Sequence, residues 1–187
     1  MLPFNIPKNI LKIVGLFVLL IALIVPYYLY KVGRNEGYAP KQPIPFSHKI
    51  HAGINNIPCL YCHSNADNSK HATVPGMNVC MNCHTAVKTE SPLIKEVQKY
   101  YNDNKPIEWV KVNDIQDHVY FSHKRHVTKG IDCQVCHGDV AKMDTVKQQE
   151  SLLMGFCVSC HKDPKAKLGD LPGIPDKAPL ECSTCHQ

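Results

Sequence analysis

The longest apolar stretch of the chain lies near its N-terminus. Residues 13–30 (IVGLFVLLIALIVPYYLY) are uncharged and mostly apolar. Extending this stretch back to Ile10 gives a helix of about 31 Å, enough to cross the hydrocarbon core of a membrane. Tyrosines cluster at the C-terminal end of this stretch, where the membrane–water interface would lie, and Lys31 and Arg34 follow. The pattern predicts one transmembrane helix within residues 1–34.

A cleaved signal peptide is the alternative for this segment. Its apolar region would usually be shorter and would be followed by a small-x-small cleavage site, which the sequence lacks here. The flanking lysines do not decide the orientation, because positive residues stand on both sides of the span. The pattern therefore favours an uncleaved anchor.

Beyond residue 34, helical periodicity is sustained only once. Ser91 and Pro92 suit the start of a helix, and residues 102–106 suit its end. An apolar stripe at helical spacing runs between them: Leu93, Ile94, Val97, Tyr100 and Tyr101. Elsewhere the 14 prolines and 10 glycines predict a few short helices and much irregular structure.

Five short motifs contain every cysteine of the chain. Each motif reads Cys-x-x-Cys-His. The cysteines are Cys59, Cys62, Cys80, Cys83, Cys133, Cys136, Cys157, Cys160, Cys182 and Cys185, and the histidines are His63, His84, His137, His161 and His186.

This spacing is the attachment signature of c-type haem. Two thiols must add to two vinyl groups on one porphyrin edge, and residues at i, i+3 and i+4 share one face of a helical turn. Zinc knuckles would not need a histidine after every second cysteine. A disulfide framework would show scattered spacings. We therefore expect five covalently bound haems, with the motif histidines as proximal iron ligands.

The soluble part contains an internal repeat. Two blocks, residues 46–84 and 121–161, each begin with Phe-Ser-His-Lys-x-His and continue through two motifs, while the fifth motif occupies residues 182–186. Such a repeat indicates a duplicated unit. The domain expectation is a membrane anchor over residues 1–34 and a pentahaem domain over residues 35–187.

The net charge of +5 does not indicate a nucleic-acid partner. Five haems would bring about ten negative propionate charges and about five positive charges on ferric cores, which leaves the oxidised protein close to neutral. The lysines therefore serve to screen propionates.

Six histidines remain as candidate sixth ligands. Four of them come from the repeated units: His48, His51, His123 and His126. We expect these four and His71, which lies between two motifs, to bind iron. His118 has no counterpart in the first block, so we expect it to make an ordinary polar or surface contact. Met143 follows His137 much as His71 follows His63, so it is either a thioether ligand or a packing residue.

The paired histidine units and the motifs after them resemble the small multihaem cytochromes of the cytochrome c7/c3 type. The complete chain is similar to the pentahaem cytochrome subunit of alternative complex III. That likeness rests on one anchor, five motifs in order, the run 109–126 (WVKVNDIQDHVYFSHKRH) and the run 153–157 (LMGFC). The resemblance covers nearly all of the chain.

The resemblance implies a function in electron transfer and not in catalysis. It implies that the chain relays electrons from a quinol-oxidising membrane complex to periplasmic carriers. The implied partners are integral-membrane and iron–sulfur subunits, with a monohaem cytochrome c or a terminal oxidase as acceptor. The haem domain would face the periplasm of a bacterial inner membrane.

Two other functions have to be weighed against this one. A quinol dehydrogenase of the NapC/NirT type also has one anchor and several haems, but it needs a haem close to the membrane, and the first motif here begins 28 residues after the apolar segment. A multihaem reductase would need an iron with an exchangeable ligand.

Overall fold

The computed structural model describes residues 7–186. It divides into two compact units, with the boundary between Asn35 and Glu36. The first unit consists of one helix and the turn after it, and the second contains the repeat blocks and all five motifs.

The first unit is built on helix α1, Lys8–Lys31. Its 24 residues correspond to about 36 Å of helix, and every side chain in it is exposed. Pro26 lies inside the helix. Among the described residues, α1 is the one helix that is long and apolar enough to cross a membrane.

The second unit is helical and irregular, and the described part of the chain contains no β-strand. This confirms the predicted class of few short helices and much irregular structure. The α-helices are α2 Cys59–Cys62, α3 Met77–His84, α4 Pro92–Asn102, α5 His123–Val127, α6 Gln134–His137, α7 Met154–Lys162, α8 Pro164–Leu168 and α9 Cys182–Cys185. A π-helical turn covers Lys49–Ile54 and a 3₁₀ turn covers Val140–Lys142.

Helix α4 confirms the predicted soluble helix. Ser91 occupies its N-cap, and the backbone carbonyl of Ser91 accepts from the Lys95 amide at 2.9 Å. The apolar stripe packs toward α3, where Val97 joins a small buried cluster with Ile44, Met81 and Ile107. This cluster packs against the Cys80-x-x-Cys83-His84 motif.

The buried Gln148 side chain holds irregular segments together. Its Oε1 atom accepts from the Asp114 amide at 3.2 Å, and its Nε2 atom donates to the Glu150 carbonyl at 2.8 Å. Its backbone exchanges bonds with Gly37 and Tyr38. Because Gln148 is only 1% exposed, these bonds satisfy polar groups that water cannot reach.

The two repeat blocks exchange equivalent backbone hydrogen bonds, an arrangement that we call the reciprocal contact. The Lys49 amide donates to the Met143 carbonyl, and the Lys124 amide donates to the Ser69 carbonyl, both at 3.0 Å. Each bond runs from the histidine unit of one block to the segment after the first motif of the other block. The duplicated units therefore pack face to face with approximate two-fold symmetry.

Gly53 gives a test of the reciprocal contact. A Cβ atom at Gly53 would collide with the backbone carbonyl of Ala141 in the opposite block. We expect Gly53→Ala to destabilise the haem-loaded protein by about 1–3 kcal/mol, because a backbone atom cannot rotate away. Thermal unfolding followed in the far-ultraviolet circular dichroism measures the effect.

The matched control is Gly76→Ala. There a new Cβ atom meets only the side-chain Oδ1 of Asn78, at 2.7 Å, and an exposed side chain can move. Its cost should stay below about 1 kcal/mol, the size of a weakened N-cap. Equal losses for the two variants would contradict a close approach of the blocks at Gly53.

Candidate haem sites

Each motif forms one helical turn that presents two thiols and a histidine together. In three motifs the turn is closed by a bond from the histidine amide to the first cysteine's carbonyl, at 2.9 Å for His63, 3.0 Å for His137 and 2.8 Å for His186. The other two motifs lie within α3 and α7. We number the sites 1 to 5 by the order of their motifs along the chain.

Four motif histidines each face a histidine of a repeated unit. The ring centroids are 6.4 Å apart for His48 and His63, 6.2 Å for His51 and His84, 6.3 Å for His123 and His137, and 6.1 Å for His126 and His161. An imidazole nitrogen binds a metal ion at about 2 Å, so two rings on opposite sides of one ion have centres about 6 Å apart. The four pairs fit that separation.

The fifth motif histidine faces a residue that sequence reasoning set aside. The ring centroids of His118 and His186 are 5.3 Å apart and the rings are nearly parallel, at 15°. The Nδ1 atom of His186 also lies 3.3 Å from the His118 carbonyl. Every motif histidine therefore has one facing histidine, and at site 5 it is His118.

The structure does not bring the other two expected ligands into such a pair. His71 is exposed in an irregular segment, and none of the ring contacts among the described residues includes it. Met143 is half-buried, and its backbone carbonyl takes part in the reciprocal contact. In that contact Met143 corresponds to Ser69, and not to His71.

Backbone carbonyls fix the tautomer of most of these histidines. Because a carbonyl can only accept, each Nδ1 atom that contacts one must carry the hydrogen, which leaves the Nε2 lone pair free for a metal ion. Among the motif histidines, the Nδ1–carbonyl distances are 2.7 Å for His63, 3.0 Å for His84 and 2.7 Å for His161. Among the facing histidines they are 2.8 Å for His51, 3.0 Å for His123 and 2.8 Å for His126.

Burial favours the neutral form of three of these rings. Desolvation lowers the pKa of His48 to about 4, with His63 and His51 adding repulsion. Desolvation likewise lowers the pKa of His126 and that of His137. A neutral imidazole is the form that binds a metal ion.

The cysteines are available for covalent attachment. All ten are free thiols, and each is exposed or half-buried. Desolvation, with Cys160 and other neighbouring thiols, raises the pKa of Cys136 to about 11. None of the ten is joined to another by a disulfide in this structure. Across residues 7–186, no group of three or more His, Cys, Asp or Glu side chains could hold a metal ion, which disfavours the zinc alternative.

The sparse core also fits a large apolar cofactor. The buried apolar side chains among the described residues are Ile44, Ala66, Met81, Val97 and Ile107. A domain of this size normally buries far more apolar surface. Paired thiols, paired imidazoles and uncovered apolar surface together match what a covalently attached haem requires. The fold and its sites define a multihaem cytochrome of the c type.

Comparisons with known proteins agree with this class. Residues 119–187 match the family described as cytochrome c7 and related cytochrome c. The chain is also 30% identical, over 142 residues, to the "Menaquinone reductase, multiheme cytochrome c subunit" of Nitratidesulfovibrio vulgaris, a match that covers 65% of this chain and 68% of that protein. The chain belongs to the cytochrome c7-related multihaem cytochromes c, and it carries covalently bound haem.

The number of haems follows from the five motifs and can be measured. We expect the mass of the denatured protein to exceed its 21.0 kDa polypeptide by five haem masses, because thioether bonds survive denaturation. Intact-protein mass spectrometry gives the count. Four haems would contradict it, and peptide mapping would then identify the unmodified motif.

Proposed function

We propose that this chain is an electron-relay subunit with five haems, each held between two histidines. The observation that carries the proposal is the set of five histidine pairs. A haem with two histidine ligands has no open iron position, so it can pass electrons but cannot bind a substrate at iron. This supports a relay and disfavours a multihaem reductase.

The proposed proximal ligands are the motif histidines, and the facing histidines are the proposed sixth ligands: His48 at site 1, His51 at site 2, His123 at site 3, His126 at site 4 and His118 at site 5. His71 and Met143 stay alternatives from the sequence. Spacing favours them, whereas His118 is favoured by its nearly parallel ring contact with His186, at a centroid separation shorter than those of the other four pairs.

The side chains around each iron have distinct tasks in this relay. When bound, each haem supplies an iron that alternates between two oxidation states by gaining or losing one electron. The carbonyl bonds at Nδ1 hold the imidazoles in orientation and increase their donor strength, which stabilises the oxidised state. The cysteines fix the position of each site in the protein, so that neighbouring sites keep constant separations.

Helix α1 is proposed to be an uncleaved membrane anchor, with the haem domain on the periplasmic side of a bacterial inner membrane. Its length and its continuous apolar surface support this. Haem is attached to c-type motifs outside the bacterial cytoplasm. This supports the periplasmic orientation of the haem domain, which the charges flanking the helix do not decide.

The proposed partners are the subunits of a quinone-reactive membrane complex. The linking runs of the sequence indicate alternative complex III, in which electrons leave quinol and reach a monohaem cytochrome c or a terminal oxidase. Similarity to a menaquinone reductase subunit supports a second candidate, in which electrons run toward the quinone. In both assemblies the chain relays electrons between an integral-membrane partner and carriers outside the membrane.

Substitution of His118 tests the sixth ligand of site 5. We expect His118→Ala to leave one iron with an open position, so the reduced variant should bind one carbon monoxide per protein. The oxidised variant should show one high-spin haem by electron paramagnetic resonance. The wild type should bind none, because every iron has two protein ligands.

His71→Ala is the matched control for that experiment, since His71 is exposed and faces no motif histidine. Its spectra should equal those of the wild type. Carbon monoxide binding by His71→Ala, with none by His118→Ala, would reverse the assignment. A near-infrared methionine–iron band in the wild type would assign Met143 as a ligand instead.

Purification of the chain from native membranes tests the proposed complex. An affinity tag should recover integral-membrane and iron–sulfur subunits, and menaquinol should reduce the haems of the recovered complex. The chain expressed alone should not be reduced by menaquinol, because in the proposed complex the quinone site belongs to an integral-membrane partner. Reduction of the isolated chain would instead support the NapC/NirT-type function. Reoxidation of the reduced complex by menaquinone alone would support the menaquinone reductase direction.

A further inference from the structure

Sites 1 and 2 are neighbours because one short segment serves both. His48 faces the histidine of site 1, and His51, three residues later, faces the histidine of site 2. The Phe46 ring contacts both, with centroids 4.8 Å from His48 and 4.3 Å from His51. The motifs also touch directly, since Asn82 of the second motif donates to the Tyr61 hydroxyl of the first at 3.1 Å.

Sites 3 and 4 are neighbours for the same reason. His123 faces site 3 and His126 faces site 4. Phe121 contacts both rings, at 4.8 Å and 4.5 Å. The arrangement of the first block is thus reproduced in the second.

The reciprocal contact joins sites 1 and 3. The backbone amide and the Nδ1 atom of His123 of site 3 both donate to the Lys70 carbonyl, at 3.1 Å and 3.0 Å. Lys70 follows the first motif within the same block. Burial, together with the neighbouring Cys59 thiol, raises the pKa of Cys133, so the first cysteines of sites 1 and 3 are neighbours. These sulfur atoms would carry the thioether bonds, so the two haem edges would adjoin.

Site 5 adjoins site 4. The Ala178 amide donates to the His161 carbonyl at 2.9 Å, and the Nδ1 atom of His161 contacts the Pro179 carbonyl at 2.7 Å. The segment that leads into the fifth motif therefore runs along the histidine of site 4. Burial, together with the neighbouring Cys185 thiol, also raises the pKa of Cys157.

From these contacts we propose that the five sites form one unbranched row in the spatial order 2, 1, 3, 4, 5, which differs from their order along the chain. The proposal rests on the function proposed above, with a haem at each site. The approximate two-fold axis runs between sites 1 and 3. Sites 2 and 5 are the ends of the row.

The order determines where electrons can enter and leave. An electron that crosses the whole domain must pass sites 1, 3 and 4 in the interior. One redox partner is therefore expected beside the second motif and helix α4, and the other beside the fifth motif. The first motif, although first in sequence, is not a terminus of the path.

Lysine cross-linking of the full-length, haem-loaded protein in detergent tests this order. A short amine-reactive cross-linker followed by peptide mass spectrometry should join Lys70 to Lys124 and Lys49 to Lys142, because the reciprocal contact brings these backbones together. It should also join Lys162 to Lys177 beside sites 4 and 5. Lys70→Arg is the matched control, and it should remove the Lys70–Lys124 product alone.

A row in sequence order would give a different result. It would put site 2 beside site 3, so Lys88 would link to Lys129, and the Lys70–Lys124 product would be missing. That result would overturn the proposed order. The intact mass of the same sample separates the two proposals: fewer than five haems would contradict the proposed function, while the cross-links alone decide the order.

Discussion

The constraint on which this structure depends is the shortage of apolar side chains in its interior. A soluble unit of about 150 residues usually excludes water from a substantial core, but here the main buried cluster consists of Ile44, Met81, Val97 and Ile107 beneath one motif.

Cross-links must therefore supply the order that packing does not. In the proposed function, thioether bonds tie each motif turn to a haem, and axial histidines tie each haem to a second segment. Short helices are sufficient because each needs to be only long enough to present a cysteine pair and a histidine. The long irregular segments between them are held by specific hydrogen bonds, as at Gln148.

Those features that rest on local spacing could be predicted from the sequence. The Cys-x-x-Cys-His turns, helix α4 and apolar helix α1 all follow from residue patterns within a few turns of helix, and the structure contains each of them. The paired histidines of the repeated units were also recognisable, because their duplication is itself a signal. The four facing pairs at sites 1 to 4 have the separation expected of them.

The features that depend on distant segments could not be predicted in this way. His71 lies between two motifs, which made it the expected fifth ligand, and this expectation stays a prediction. His118 and His186 are 68 residues apart, and nothing in either neighbourhood signals the other. The likeness between Met143 and His71 rests on spacing in the sequence, whereas in the reciprocal contact the Met143 carbonyl is equivalent to the Ser69 carbonyl and only backbone atoms take part. Backbone pairing of this kind leaves no pattern in the side chains, so the proposed spatial order of the sites was also beyond sequence analysis.

The position of His118 follows from how a fifth site can be added to a duplicated pair. Each block is self-contained, since one histidine unit serves its two motifs, and duplication produces an even number of sites. A fifth motif after the second block has no histidine unit of its own and must find a ligand elsewhere. His118 lies three residues before Phe121, and the Tyr120 amide donates to the Cys185 carbonyl at 2.8 Å. The segment that precedes the second block and the segment that follows it therefore lie next to each other at site 5. In the proposed row, this closure makes site 5 an extension of the second block at the side away from the first, so the row is longer at that end and the two-fold symmetry does not include site 5.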